Sequence, residues 1–237
     1  MFTDIVFPDE NEKEFIELAE RLSLGGLCLC YPFVPKNNYN ETVEKIRKLQ
    51  EKTKIKLSFG LLARPNDTMK ARNLADLLLV KAIPTADNRA LLDKKEIDCI
   101  YELEGSPKND PMHYRYSGLN QVLCAIAKES EMIVGFSFSM LLNSERLRRS
   151  VLMGRFNQNI RLCRKYKVNT AFASFAREPY ELRAEHEFLS LARALGMGPG
   201  DAQLSIAMLS KRIEENLLRK QGKYYGKGIE VVDKPKE

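Results

Sequence analysis

Short apolar segments alternate with amphipathic stretches along almost the whole chain. Seven of these segments have the length of a strand and are rich in β-branched and aliphatic residues, and residues 77–80 are apolar at every position. Uninterrupted apolar runs of this kind are typical of parallel strands that are covered on both faces. The pattern therefore predicts parallel strands at residues 3–7, 26–31, 55–62, 77–82, 98–102, 132–137 and 169–174.

The stretches between the predicted strands have helical periodicity. Residues 15–22 carry apolar side chains at the i, i+3, i+4, i+7 spacing that gives a helix one apolar face. The same or a narrower stripe predicts helices at 43–49, 119–126, 188–195 and 201–218. Residues 144–166 carry two apolar stripes in different phases, which predicts a kink or break near Gly154, with Arg155, Arg161 and Arg164 on the solvent side.

Seven βα-like units follow one another without an internal linker, which indicates one domain. An open doubly wound sheet and a closed barrel are the two candidate architectures. The seven units follow one another with no obvious reversal of strand order, and this favours the barrel. We therefore predict an α/β fold, an irregular (β/α) TIM-like barrel with about seven parallel strands. An eighth strand is not evident. We assign residues 1–222 to the barrel and residues 223–237 to a C-terminal tail.

Composition is that of a globular protein without a membrane segment. The chain has 237 residues, of which 44% are hydrophobic and 30% charged. No apolar run approaches the length needed to span a bilayer, and the acidic N-terminus is unlike a secretory signal. Five irregularly spaced cysteines do not form a disulfide framework, so we interpret them as buried small hydrophobes in a reducing compartment. These features predict a cytoplasmic protein.

The charge is distributed unevenly. Residues 1–22 carry seven acidic and two basic side chains, whereas residues 143–167 carry eight basic side chains and one acidic one. The second stretch alone exceeds the net charge of the whole chain, which is +6. It is either the solvated face of a helix or part of a surface that binds a polyanion.

Sequence signatures of a self-sufficient active site are missing. The two histidines, His113 and His186, are too few for a histidine-rich metal centre. No phosphate-binding glycine loop and no nucleophile elbow occurs. We therefore expect neither catalytic nor metal-binding residues in this chain, although carboxylates alone could hold Mg²⁺.

Arginines near strand ends provide the positive evidence for function. Arg64 follows the third predicted strand, and Arg177 and Arg183 follow the seventh, while residues 114–116 place an arginine between two tyrosines. Arginine forks fit phosphate oxygens, and aromatic faces stack on unpaired bases. The alternative for each arginine is an ion pair with a nearby carboxylate. The predicted RNA-binding residues are Arg64, Arg115, Arg149, Arg155, Arg161, Arg164, Arg177 and Arg183.

Five short motifs, in this order and spacing, resemble the family of archaeal ribonuclease P protein component 3, counterpart of the thirty-kilodalton subunit of the eukaryotic enzyme. They are LLAR at 61–64, HYRYSGLN at 113–120, NIRLCRKY at 159–166, SFAREP at 174–179 and ALGM at 194–197. With the first strand and the last helix, the resemblance covers nearly the whole predicted barrel. No single motif is diagnostic.

The resemblance implies a (β/α) barrel related to the polymerase-and-histidinol-phosphatase group of metal-dependent phosphoesterases. The first strand keeps Asp4 but lacks the histidines of those enzymes. The implied role is a subunit of ribonuclease P, in which the RNA subunit and its Mg²⁺ ions remove the 5′ leader from precursor tRNA. Ribonuclease P RNA and protein component 2, in a two-plus-two assembly, are the implied partners, and no cofactor is expected on this chain.

The sequence leaves two other classes of function open. A free-standing metal-dependent phosphoesterase would turn over a phosphate ester without RNA. A pure protein-interaction scaffold would bind a partner but would have no salt-sensitive affinity for RNA.

Overall fold

The apolar segments form seven parallel strands in one sheet. The computed structural model describes residues 1–83, 88–105, 110, 113 and 115–223. Each predicted strand is confirmed to within two residues at either end. The strands are β1 Thr3–Val6, β2 Gly26–Pro32, β3 Lys56–Leu62, β4 Leu77–Lys81, β5 Cys99–Tyr101, β6 Ile133–Ser137 and β7 Asn169–Ala173.

The sheet curls into a barrel that is nearly closed. The strands lie in chain order from β1 to β7, and each pairs with the next in parallel. The first and last strands meet only where they end: Phe7 N donates to Ala176 O at 2.7 Å, and Ala176 N donates to Ile5 O at 3.1 Å. The predicted TIM-like barrel with seven strands is thus confirmed, and the seam between β1 and β7 takes the place of an eighth strand.

Helices follow the strands as the amphipathic stretches predict, with three short ones that the periodicity did not indicate. The short helices are α3, α4 and α6, and short 3₁₀ turns lie at Leu103–Gly105 and Pro179–Glu181. The helices are α1 Glu12–Arg21, α2 Asn40–Gln50, α3 Thr68–Ala71, α4 Arg89–Leu92, α5 Gln121–Glu129, α6 Phe138–Leu142, α7 Arg146–Tyr166, α8 Glu185–Ala194 and α9 Pro199–Lys220.

The predicted kink at Gly154 is wrong, because α7 runs uninterrupted for 21 residues. Its buried side follows a single helical stripe in which two positions, Arg155 and Asn159, are polar. Gly154 serves a different purpose. A Cβ atom at this position would lie 2.9 Å from Cζ of Arg115, so the glycine lets that guanidinium rest against the helix.

Small side chains make room in the barrel interior, which is filled by side chains. The inward positions are occupied by aliphatic, cysteine and aromatic side chains from β1, β2, β4, β5, β6 and β7. At the inward position Gly60, a Cβ would lie 2.3 Å from Sγ of Cys30 and 2.9 Å from Sγ of Cys28. All five cysteines are unpaired and buried, as expected for small hydrophobes.

Helix α9 covers the amino-terminal opening of the barrel. Asp98, which precedes β5, accepts hydrogen bonds from Arg72 Nη1 at 2.7 Å and from Asn216 Nδ2 at 3.0 Å. Arg212 Nη1 lies 3.4 Å from the same carboxylate, and Lys220 forms an ion pair with Asp76 before β4. These polar contacts fix α9 across the ends of several strands, and its apolar side chains Leu209 and Ile213 close the interior.

Residues 224–237, which include most of the predicted tail, lie outside the described part of the chain, so the domain limits at 222 and 223 stay a prediction. Among the residues that the structure does describe, no helix has both the length and the apolar character needed to cross a bilayer.

Candidate nucleic-acid interface

Aromatic rings fill the carboxyl mouth of the barrel, where (β/α) barrels place their chemistry. Tyr101 stacks on Phe175 with ring centroids 4.6 Å apart, and Phe7 lies 5.9 Å from Tyr101 on its other side. The Arg177 guanidinium covers Phe7 at 5.5 Å. Burial raises the pKa of the Tyr101 hydroxyl, which has no hydrogen-bond partner. The three rings therefore lie at the strand ends where barrel enzymes carry polar catalytic side chains.

Asp4, the acidic residue retained on the first strand, holds the seam together. Its Oδ1 atom accepts hydrogen bonds from Ser174 N at 2.6 Å and from Ile5 N at 2.8 Å, while Oδ2 has no partner. Burial raises the pKa of Asp4 to about 7, although hydrogen bonds from Ser174 and Ile5 counteract that effect. The described residues include no group of three or more histidine, cysteine or acidic side chains placed to hold a metal ion. The donor set around Asp4, as far as the described residues show it, therefore does not fit a metal centre of the kind that phosphoesterases carry.

Two predicted arginines lie exposed at the carboxyl ends of strands. Arg64 follows β3, and Arg177 follows β7. The buried carboxylate of Glu181 accepts a hydrogen bond from the backbone N of Arg177 at 2.7 Å, which fixes this loop. Arg183 is half-buried, lies 4.9 Å over the Phe138 ring and donates to two carbonyls of its own loop. The position of Arg183 is thus explained by local structure.

Two further arginines of the predicted set are structural. Arg155 is 0% exposed: it pairs with Asp110 at 2.7 Å and donates to the Glu104 carbonyl at 2.8 Å. The predictions that Arg155 faces solvent and contacts RNA directly are both wrong, because its guanidinium is buried and bonded to groups inside the protein. Arg149 is exposed, but its guanidinium donates to the carbonyls of Leu141, Leu142 and Ser144 and so caps the end of α6.

A buried polar cluster anchors the loop before α5 on α7. Asn159 Nδ2 donates to Glu104 Oε1 at 2.7 Å and to Ser117 O at 2.8 Å. Burial raises the pKa of Glu104 to about 7, and its Oε2 atom has no partner. Together with the Arg155 contacts, this cluster holds the segment around Arg115 against the helix.

The exposed side of α7 bears a groove lined by cations, which we call the basic groove. Its cationic residues are Arg115, Arg161 and Lys165, its volume is about 320 Å³, and its lining contains no carboxylate among the residues that the structure describes. Arg115 is held in place because its Nη1 donates to Gly154 O at 3.1 Å, while its own carbonyl accepts from Gln158 Nε2 at 3.2 Å. The structure thus brings together Arg115 and Arg161 of the predicted set. Gln158 gave no signal in the sequence.

Arg164 does not belong to the basic groove. It is exposed on the side of α7 that faces α9, near the amino end of β7. The eight predicted arginines therefore do not form one patch. They divide among the carboxyl mouth, the basic groove, the α9 side of α7 and the protein interior.

The chemistry available to the exposed cations is that of anion binding. Arginine supplies planar pairs of donors for phosphate oxygens, and an Arg115 already fixed against Gly154 loses less conformational freedom on binding. Lys165 and Arg161 are four residues apart on the helix and therefore project from the same side. A phosphodiester backbone that follows the groove would meet cations without an opposing carboxylate.

Comparison with known proteins places this chain in a family. The sequence model of the family described as RNase P subunit p30 matches residues 1–221. Ribonuclease P protein component 3 of Methanosarcina barkeri is 30% identical over 225 residues, which is 91% of this chain and 87% of that protein.

Two further comparisons agree in sequence and in fold. Ribonuclease P protein component 3 of Methanosarcina acetivorans is 34% identical over 164 residues, which is 69% of this chain but only 65% of that protein's length. A chain in a cryo-EM structure of archaeal ribonuclease P with mature tRNA superposes with a TM-score of 0.78 at 20% identity, covering 99% of this chain and 100% of that one. The chain therefore belongs to the family of the p30 subunit of ribonuclease P.

Proposed function

We propose that this chain is a protein subunit of ribonuclease P that supports the RNA-catalysed removal of the 5′ leader from precursor tRNA. The observation that carries the proposal is the basic groove, where Arg115, Arg161 and Lys165 line one surface and no described carboxylate lies among them. Family membership gives the type of RNA, and the groove gives this chain a means of touching it.

The contribution to catalysis is electrostatic. Phosphates of a large folded RNA repel one another, so compaction is favoured when a protein neutralises them and releases condensed counterions. The exposed cations of the basic groove supply that charge, and Arg64 and Arg177 at the carboxyl mouth add to it. Direct base readout is not required, because structured RNA is recognised largely by its shape and backbone.

Hydrolysis is assigned to the RNA subunit, with Mg²⁺ bound there and no cofactor on this chain. The aromatic stack of Phe7, Tyr101 and Phe175 supports this assignment, since it fills the position of a barrel active site. The competing phosphoesterase function would need a ligand set around Asp4, whose Oδ1 is already engaged by two backbone N–H groups.

The assembly proposed for this chain contains ribonuclease P RNA and ribonuclease P protein component 2, as two copies of each protein, with precursor tRNA as the substrate of the whole particle. The names of the curated relatives support an archaeal ribonuclease P context. We place the assembly in the cytoplasm, where tRNA precursors are processed in cells without a nucleus.

Charge reversal of the basic groove tests the RNA-binding part of the proposal. The variant combines Arg115→Glu, Arg161→Glu and Lys165→Glu, and the control reverses three exposed cations on and after α2, Arg47, Lys48 and Lys52. Both changes alter the net charge equally, so only the location differs. Affinity for ribonuclease P RNA is measured by filter binding at several salt concentrations.

We expect the groove variant to bind RNA at least tenfold more weakly than the control at about 0.1 M salt. Each lost phosphate contact flattens the plot of log K against log salt by about 0.7 to 0.9, so the loss of three contacts predicts a change in slope of about 2.1 to 2.7. Equal affinities and slopes for the two variants would contradict the assignment of RNA to this groove.

A further inference from the structure

A second groove lies on the opposite side of the α7 carboxyl end, along the incomplete barrel seam. It is formed by the end of α7, the start of β7 and the first turns of α9, and its volume is about 220 Å³. We call it the seam groove and define it by Arg164, Lys167, Asp201, Leu204 and Ser205. A regular barrel would have an eighth strand beside this edge of β7, and here a helix lies across it instead.

One wall of the seam groove carries an unsatisfied polar atom. Ser205 is 1% exposed, and its Oγ atom has no hydrogen-bond partner. A buried hydroxyl without a partner costs free energy, and most such groups in folded proteins are paired. Ser205 is one of the residues that line the groove, so its unpaired hydroxyl lies in the wall against which an entering group would pack.

The same wall presents an exposed aliphatic side chain. Leu204 is 65% exposed although it lies next to the buried Ser205, in the second turn of α9. Met197 is buried below it, and Met208 is half-buried one helical turn further on. Methionine side chains adapt to irregular apolar partners. This combination suits an aliphatic side chain from another molecule.

The charges of the seam groove distinguish it from the basic groove. Arg164 and Lys167 are exposed, and neither takes part in an ion pair found among the described residues. Asp201 stands in the lining together with them. A continuous run of phosphates would meet repulsion at Asp201, whereas a peptide can place a carboxylate at the two cations and a backbone N–H donor at Asp201.

We propose that the seam groove docks an extended, acidic segment of a protein partner, with one aliphatic side chain against Leu204 and Met208 and a carboxylate between Arg164 and Lys167. This rests on the proposed function only in that a ribonuclease P assembly supplies the protein partner. Arg164 is then a protein-binding residue rather than an RNA-binding one, and the RNA and the protein partner occupy different sides of α7.

Two variants and two matched controls test the proposal. Leu204→Asp and Arg164→Glu alter the seam groove, while Leu218→Asp on the same helix and Arg193→Glu on α8 make the same changes at exposed positions outside it. The probe is purified protein component 2, and its affinity is measured by calorimetry for each variant. RNA affinity is measured on the same preparations.

We expect a loss of at least tenfold in affinity for component 2 with Leu204→Asp and Arg164→Glu and less than twofold with the controls, and RNA affinity within twofold for Leu204→Asp and Leu218→Asp. Because Arg164 lies one helical turn from Arg161 of the basic groove, Arg164→Glu is judged on its affinity for component 2 alone. Unchanged affinity for component 2 overturns the proposal, and so does a loss confined to RNA. A photo-crosslinker placed at Leu204 in the complete reconstituted particle gives an independent result. A crosslink to a protein subunit supports the proposal, whereas a crosslink to RNA, or none, overturns it while leaving the proposed function in place.

Discussion

Individual charged residues have different tasks that composition alone does not distinguish. The basic stretch 143–167 contains Arg149, which caps a helix, Arg155, which is buried in an ion pair, and Arg161, which lines the basic groove. The sequence correctly indicates a cationic stretch, but it does not show which of its arginines are buried and which are exposed. Only the partners, which come from distant segments such as Asp110 and Glu104, separate them.

Arg155 and Arg161 are expected to respond in opposite ways to truncation. Arg155→Ala removes a buried guanidinium and leaves the Glu104 carbonyl unpaired, so we expect the free energy of unfolding to fall by about 2–4 kcal/mol. Arg161→Ala should change stability by less than about 0.5 kcal/mol but weaken RNA binding. Urea unfolding and filter binding measure the two effects. An Arg155→Ala protein of normal stability and weak RNA affinity would mean that this residue belongs to the interface after all.

The raised pKa of Asp4 predicts how the free energy of unfolding depends on pH. Because its pKa is raised from 3.8 to about 7 in the folded chain, folding favours the protonated form, and this contribution is lost as pH rises through about 7. Asp4→Asn keeps an oxygen that accepts from Ser174 and Ile5 but carries no charge. We expect the variant to lose less stability than the unmodified protein between pH 5 and 8 in urea unfolding. Burial also raises the pKa of Glu104 to about 7, so Glu104→Gln should likewise lose less stability than the unmodified protein over this pH range. Identical pH profiles for Asp4→Asn and the unmodified protein would contradict the assignment.

Strands and long helices were predictable from sequence because burial dictates their periodicity. The seven apolar runs needed no tertiary information, since strands covered on both faces are apolar at nearly every position. Helix α7 was the exception. Its buried stripe includes Arg155 and Asn159, so the apolar residues alone suggested two phases and a kink where one continuous helix exists. Polar residues that are buried with partners from elsewhere break the pattern on which such predictions depend.

If the basic groove binds RNA as proposed, Gly154 should affect RNA affinity without lowering stability, because it seats Arg115 against α7. Gly154→Ala adds a Cβ that displaces the Arg115 guanidinium, while alanine is about 1 kcal/mol better than glycine within a helix. We expect unchanged or higher stability together with RNA affinity lowered as much as by Arg115→Ala.

The double variant of Gly154 and Arg115 decides whether the two residues act together. If Gly154 matters only by seating Arg115, the double variant binds RNA no more weakly than Arg115→Ala alone. Additive losses would show that Gly154 affects the interface independently.

At the scale of the whole molecule, the barrel was predictable but the arrangement of its surfaces was not. Seven βα-like units indicate a barrel, yet only long-range contacts place α9 across the amino-terminal opening and Asp4 at the seam. The same is true of the candidate site. Arg115 and Arg161 are 46 positions apart in sequence and meet because a buried polar cluster holds the loop before α5 on α7.

The division of surfaces explains how one small barrel could serve an RNA-based assembly. Stacked rings lie at the mouth that holds chemistry in other barrels, the outer side of α7 carries the basic groove that we propose for RNA, and the seam carries the mixed groove that we propose for a protein partner. On this account the molecule supplies surfaces to a catalyst rather than being one.

Precursor-tRNA cleavage in a reconstituted particle tests that claim most directly. The rate is measured with all components, with this chain omitted, and with the RNA subunit omitted while this chain and Mg²⁺ or Mn²⁺ are retained. We predict that leaving out this chain slows cleavage at low Mg²⁺, and that leaving out the RNA subunit abolishes it. Correct 5′ cleavage by this chain in the absence of the RNA subunit would contradict the account.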